Sequence, residues 1–306
     1  MSNQSLKLEC RVENAPAECL REAVLTGRQV FALLDACDEP LIPAKLVSLS
    51  REDSASLYKG AAEHDFCCVA PYLARVNKSL IDWIDENISG TPWGYFFTVP
   101  NNATLSGIRT HFRRFLEVKD PSGVKLYFRF YDPRVLLPFL RGCTPVERSV
   151  FFGPIEEFYL PDKDQQLTVI GIERIDSEAP KNAAVFQMTP KHMASFEQAQ
   201  LEHFVERQHV RIQEQYSDLA ILGETPEQHL RTIEKIVEEA FRYGVVGEQD
   251  VAFYLDLVFE LSPNFVKESR FDWVLAILTR ADLDGTRKIE LINERLSLMQ
   301  PKELDG

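Results

Sequence analysis

No window of this chain approaches the roughly 18 uncharged apolar residues that a membrane span needs, and the first residues, MSNQSLKLECRVEN, contain no apolar core of a secretory leader. Cysteine is sparse and scattered. The six (Cys10, Cys19, Cys37, Cys67, Cys68, Cys143) include only one close pair, and adjacent residues bridge to each other poorly, so a disulfide framework is not expected. A reducing, cytoplasmic compartment is expected instead. Positive charge is short as well: 34 Lys and Arg stand against 47 Asp and Glu, for a net charge of −13, which argues against nucleic acid as a partner. Walker loops, GxGxxG turns, GxSxG elbows and HExxH helices are absent, and with them the usual signs of nucleotide, hydrolase or zinc-protease chemistry.

What is present is ordinary globular material: 306 residues, 45% of them apolar and 26% charged, enough for two domains. Most of the charge comes late. Residues 1–190 hold 21 basic and 25 acidic side chains, whereas residues 191–306 hold 13 and 22. One strip runs against this trend. Between Leu105 and Arg141 the bases Arg109, Arg113, Arg114, Lys119, Lys125, Arg129, Arg134 and Arg141 face only Glu117, Asp120 and Asp132. Such a strip either meets a carboxylate-rich partner or spends its charge on acids elsewhere in the fold and on solvent.

The pattern predicts an α+β chain of two lobes, a mixed α/β lobe over 1–182 and an all-helical lobe over 183–306. In the first, strands are expected at 30–37, 70–76, 93–99, 124–131, 157–160 and 167–174, and helices at 79–88, from a cap at Asn102, and at 134–141 behind Asp132-Pro133. A hairpin turn is expected at Asp120-Pro121-Ser122-Gly123, and a capping box at Thr144-Pro145-Val146-Glu147 opens a helix that Gly153-Pro154 ends. In the second lobe, Thr189-Pro190 opens a helix to about Tyr216, Thr225-Pro226-Glu227-Gln228 opens one to Tyr243, and three more follow at 248–261, 273–278 and 287–298. A fragment beginning near Ala183 is therefore expected to fold alone.

Metal chemistry finds little footing. His64 with Cys67 and Cys68 lacks a second ligand pair, His203 and His209 point to different sides of one helix, and Asp282-Leu283-Asp284-Gly285 places its glycine two positions early for a calcium loop. No catalytic residue and no cofactor is expected. On an extended 124–131 segment, Tyr127, Arg129 and Tyr131 share one face and Phe128 and Phe130 the other. That tyrosine–arginine face is either an interaction hot spot or an internal arginine stacked on tyrosines and paired with an acid such as Asp132.

Several motifs recur in a fixed order: Leu33-Leu34-Asp35, Ala70-Pro71-Tyr72-Leu73, Trp93-Gly94, His111-Phe112-Arg113-Arg114, Phe128-Arg129-Phe130-Tyr131-Asp132-Pro133-Arg134 and Phe152-Gly153-Pro154. In these the chain resembles the type VI secretion effector chaperones and adaptors, known as domain of unknown function 4123. The resemblance covers about Val30 to Leu160 and continues more loosely through the helical lobe. It implies a cytoplasmic, non-enzymatic adaptor that holds a cognate type VI secretion effector and helps mount it on the VgrG spike; from the basic strip, Arg109, Arg113, Arg114, Arg129 and Arg134 are the candidate partner contacts. An enzyme of unrecognised class, with a site between the lobes, is the alternative.

Overall fold

The computed structural model describes residues 10–15, 17–50, 52–162, 166–172, 185–216 and 219–299. The chain divides into two compact units, residues 1–197 and 198–306. The first is a mixed α/β unit built on one seven-stranded sheet. Its strands are β1 (Cys10–Ala15), β2 (Gln29–Asp35), β3 (Ser54–Ser56), β4 (Pro71–Arg75), β5 (Gly94–Val99), β8 (Glu157–Pro161) and β9 (Leu167–Ile172). They run in the order β1-β9-β8-β5-β2-β4-β3, and every neighbouring pair is antiparallel.

Both faces of this sheet are covered, which explains why its central strands read as continuous apolar runs rather than as alternation. From β2, Phe31 and Leu33 enter one core, while Val30, Ala32 and Leu34 enter the other. The first core is dense in aromatic rings. It takes Tyr95, Phe97, Phe158 and Ile170 from the sheet and packs them against α5 (Leu105–Arg113), α6 (Pro133–Gly142) and α7 (Pro145–Phe152) through Ile108, Phe112, Leu136, Phe139 and Phe151. The second core sets Phe96, Tyr159 and Val169 against α1 (Glu18–Leu25) and α4 (Lys78–Asn87) through Leu20, Leu80, Ile81 and Ile84. Two short helices, α2 (Leu41–Leu46) and α3 (Ala61–Asp65), fill the connections around β3.

A separate hairpin joins β6 (Glu117–Lys119) to β7 (Lys125–Tyr127) through the Asp120 turn. Its outer row is filled by a later segment of the chain, because Lys119 donates to the Phe186 carbonyl at 2.8 Å and Met188 donates to the Lys119 carbonyl at 2.7 Å. Phe186, Met188, Met193 and Phe196 all pack into the aromatic core. The stretch 185–197 therefore completes the first unit, although the expected helical lobe begins before it.

The second unit is helical. It holds the later part of α8 (Pro190–Gln215) with α9 (Pro226–Arg242), α10 (Glu248–Glu260), α11 (Asp272–Leu278) and α12 (Gly285–Leu298). Ile233, Val237, Leu255, Val258, Val274 and Ile292 form its core.

Two local expectations change. The cap of α5 is Thr104, whose hydroxyl accepts from Gly107 N at 3.1 Å; Asn102 sits in the preceding turn. The strand expected over 124–131 ends at Tyr127, because Asp132 N bonds back to the Arg129 carbonyl at 3.0 Å and turns the chain into α6. As a result Tyr131 is buried together with Phe128 and Phe130, and the expected two-faced extended segment does not form.

Candidate functional site

The carboxyl end of β2 and the start of α6 meet in a compact lattice of charge. Asp35 is fully buried, receives Cys37 N on Oδ1 at 3.0 Å, and takes Arg129 Nη2 on Oδ2 at 2.6 Å. The same nitrogen lies 3.2 Å from Asp38 and 3.9 Å from Asp132. Asp132 caps α6 by accepting Arg134 N at 2.9 Å, and Arg134 closes over both Asp132 oxygens and onto Asp38. Burial pushes the Asp35 carboxyl up, and the Arg129 pair opposes that rise. For Arg129 burial works against the charge, yet Asp35 and Asp38 raise its pKa on balance. Three carboxylates converge closely enough to hold a cation, and two guanidinium groups already lie among them. This is an ion-pair network in which the two guanidiniums occupy carboxylate oxygens that a cation would otherwise take.

Beside it runs a chain of phenols. Tyr131 donates to Tyr127 at 3.4 Å and Tyr127 to Tyr58 at 2.9 Å, with the Arg129 guanidinium 5.9 Å from the Tyr131 ring. Burial, reinforced by these hydroxyl contacts, holds the Tyr127 phenol far above its ordinary range. Tyr127 keeps about half of its surface open, at 48% exposed.

Arg109 and Arg113 do different work. From one face of α5, Arg109 donates to the Ser56 carbonyl at 2.6 Å, the Tyr58 carbonyl at 3.2 Å and Glu63 at 3.0 Å. Arg113 donates to the Leu57 carbonyl at 2.7 Å and also to Tyr58. The two guanidinium groups thus satisfy the carbonyls where β3 leaves the sheet. Arg114 points elsewhere, exposed, with its guanidinium 5.8 Å from the Phe115 ring. Of the five arginines read from the sequence, Arg129 and Arg134 come together in one network, Arg109 and Arg113 in another, and Arg114 in neither. Asp35, Asp38, Tyr58 and Glu63 complete these networks from 46 to 96 residues away, a distance at which no local pattern could reveal them.

A buried cysteine–histidine pair is the nearest approach to catalytic geometry. Cys143 Sγ lies 3.4 Å from His192 Nε2, and Glu147 lies 3.9 Å from the same nitrogen. The other ring nitrogen, Nδ1, accepts Thr189 N at 2.9 Å, so the neutral ring carries its proton on Nε2. Glu147 in turn accepts Thr144 N in the capping box of α7. Thiol and carboxylate thus address one nitrogen rather than opposite sides of the ring, and neither the relay of a nucleophilic triad nor a free Nε2 lone pair for a metal is formed. The cluster ties the first turn of α8 to α6 and α7. His64 is not part of any three-ligand cluster with Cys67 and Cys68 among the described residues.

Residues 30–150 match the family model described as Domain of unknown function (DUF4123). No curated protein and no solved structure matches the chain. The matched stretch contains both arginine networks. Its motifs touch one another: Asp35 N donates to the Trp93 carbonyl at 2.7 Å, Tyr95 Oη to the Phe130 carbonyl at 3.1 Å, and Asp35 takes Arg129. Among the described residues, no helix is long and apolar enough to cross a membrane.

Proposed function

We propose that this chain is a cytoplasmic, non-enzymatic adaptor that binds one type VI secretion effector and helps load it onto the VgrG spike. The observation that carries this reading is the match of residues 30–150 to the family model. The thiols at Cys19, Cys37, Cys67 and Cys68 agree with a reducing compartment, and the charge of −13 speaks against nucleic acid as the cargo. The buried Cys143–His192 pair, with its ring oriented by Thr189, supports a binding protein over a thiol hydrolase.

The test is co-expression with a candidate effector, sought among the products of neighbouring genes, followed by co-purification and spike pull-down. A 1:1 complex, with the effector insoluble or degraded when expressed alone, is the expected result. An effector that is stable alone and forms no complex sinks the reading. For the spike arm the informative variant is Arg114→Glu, because Arg114 is exposed. Reversal at Arg113 would strip the Leu57 carbonyl of this donor, remove one of the two donors to Tyr58 and confuse unfolding with lost binding.

A further inference from the structure

We propose that Cys67 and Cys68 form a two-thiolate binding site for a trivalent, sulfur-seeking ion of the arsenical class. Both side chains are exposed on the short turn that follows α3, and their sulfurs stand 3.8 Å apart. The turn is held from below: Tyr72 of β4 donates its hydroxyl to the Cys67 carbonyl at 2.8 Å, and Val69 N bonds back to the Phe66 carbonyl at 3.1 Å.

The spacing selects among the reactions open to a dithiol. A disulfide needs sulfurs about 2.05 Å apart on Cα atoms at least about 4.4 Å apart, whereas neighbouring trans residues hold theirs at about 3.8 Å. Direct oxidation to an intramolecular bridge therefore requires the turn to rearrange. A single atom between the sulfurs does not. Two thiolates each about 2.3 Å from one pyramidal arsenic(III), at a bond angle of roughly 100°, lie about 3.5 Å from each other, a few tenths of an ångström inside the 3.8 Å already present and within reach of side-chain rotation alone. Zinc would ask for two more ligands, and among the described residues no third histidine, cysteine or carboxylate donor joins this pair. The site thus suits an ion that two thiolates satisfy.

A monosubstituted arsenic(III) oxide meets that requirement. Each thiol sulfur forms one bond to arsenic, the As=O bond is lost, and the two thiol protons leave with the oxide oxygen as water. Arsenic and sulfur keep their oxidation states.

The test titrates the full chain with phenylarsine oxide and reads intact mass and thiol count. One arsenical per chain is expected, resistant to millimolar monothiol, removed by 2,3-dimercaptopropanol, and retained in Cys37→Ser. In Cys67→Ser and Cys68→Ser, loss of chelation should weaken binding by about 10²–10⁴-fold. Peptide mapping of the unmutated adduct should show Cys67 and Cys68 together protected from iodoacetamide, which settles the location without relying on the variants. No adduct on the unmutated chain, protection of other cysteines, or undiminished binding in either serine variant overturns the proposal.

Discussion

Arg129 shows how much a single side chain holds here. It is the counter-charge to an aspartate with no exposed surface, so removing it leaves Asp35 buried and unpaired except for one backbone donor. Arg129→Ala is expected to lose about 3 kcal/mol of stability, read by urea unfolding. The loss should deepen with pH. Without the arginine the folded Asp35 carboxyl rises further above its unfolded value near 3.8, so stability present in acid disappears as pH climbs through the folded pKa. A variant that melts like the unmutated chain at pH 7 would show the pair to be dispensable for folding. His111 gives the opposite slope. Nearly buried, it donates Nε2–H to the Phe151 carbonyl at 2.7 Å, and burial drives its pKa from 6.5 to about 4. The ring must stay neutral, so stability present above pH 6.5 is lost as pH falls toward 4, by about 3 kcal/mol from this residue. His111→Gln should flatten that acid limb in urea midpoints measured from pH 7 to 4. The flattening is partial, because burial shifts His192 and His209 the same way.

At the scale of elements, capping decides most boundaries. Asn77, Thr104, Asp132, Thr144, Thr225 and Asp284 each accept a backbone N–H at the start of a helix. In α9 the box is reciprocal: Thr225 Oγ1 accepts Gln228 N at 3.3 Å, and Gln228 Oε1 accepts both Thr225 N and Glu224 N. Thr225→Ala should therefore cost about 1 kcal/mol in thermal or urea unfolding, with Thr225→Ser restoring most of it. Equal stability of the alanine variant would show that core contacts alone set the helix start. The Trp93-Gly94 motif has an equally local cause. Gly94 sits at φ +133°, and a Cβ there would lie 1.9 Å from the Leu33 carbonyl oxygen, so only glycine lets β5 approach β2.

For the whole molecule the decisive stretch is 185–197. Phe186, Met188, Met193 and Phe196 belong to the aromatic core of the first unit, and residues 186–188 supply the third row of the hairpin sheet. A chain cut after residue 182 should unfold at clearly lower denaturant than one cut after residue 197, since burying one large apolar side chain is worth about 1.5–3 kcal/mol. Equal midpoints would mean the stretch merely lies on a finished core. The fragment expected from the sequence, beginning near Ala183, carries these side chains away from the core they fill. A helical fragment is better begun at Gln198.

Much of this was readable in the chain. Runs such as Val30–Asp35, the Asp132-Pro133 and Thr225-Pro226 caps, and the Asp120–Gly123 turn are local, and hydrogen bonds within a few residues determine strand, helix and turn. The two-part α/β and helical architecture followed from those signals. The strand order did not, nor did β1, α1 and the short α2 and α3, because their residues gain order only from the sheet and cores they cover. The basic strip is the clearest case. Eight bases in 37 residues look like a surface feature in one dimension. Folding delivers Asp35, Asp38, Glu63 and the Ser56–Tyr58 carbonyls to four of them, because a guanidinium drawn under a sheet edge must find acceptors, and only the tertiary structure decides which ones are within reach.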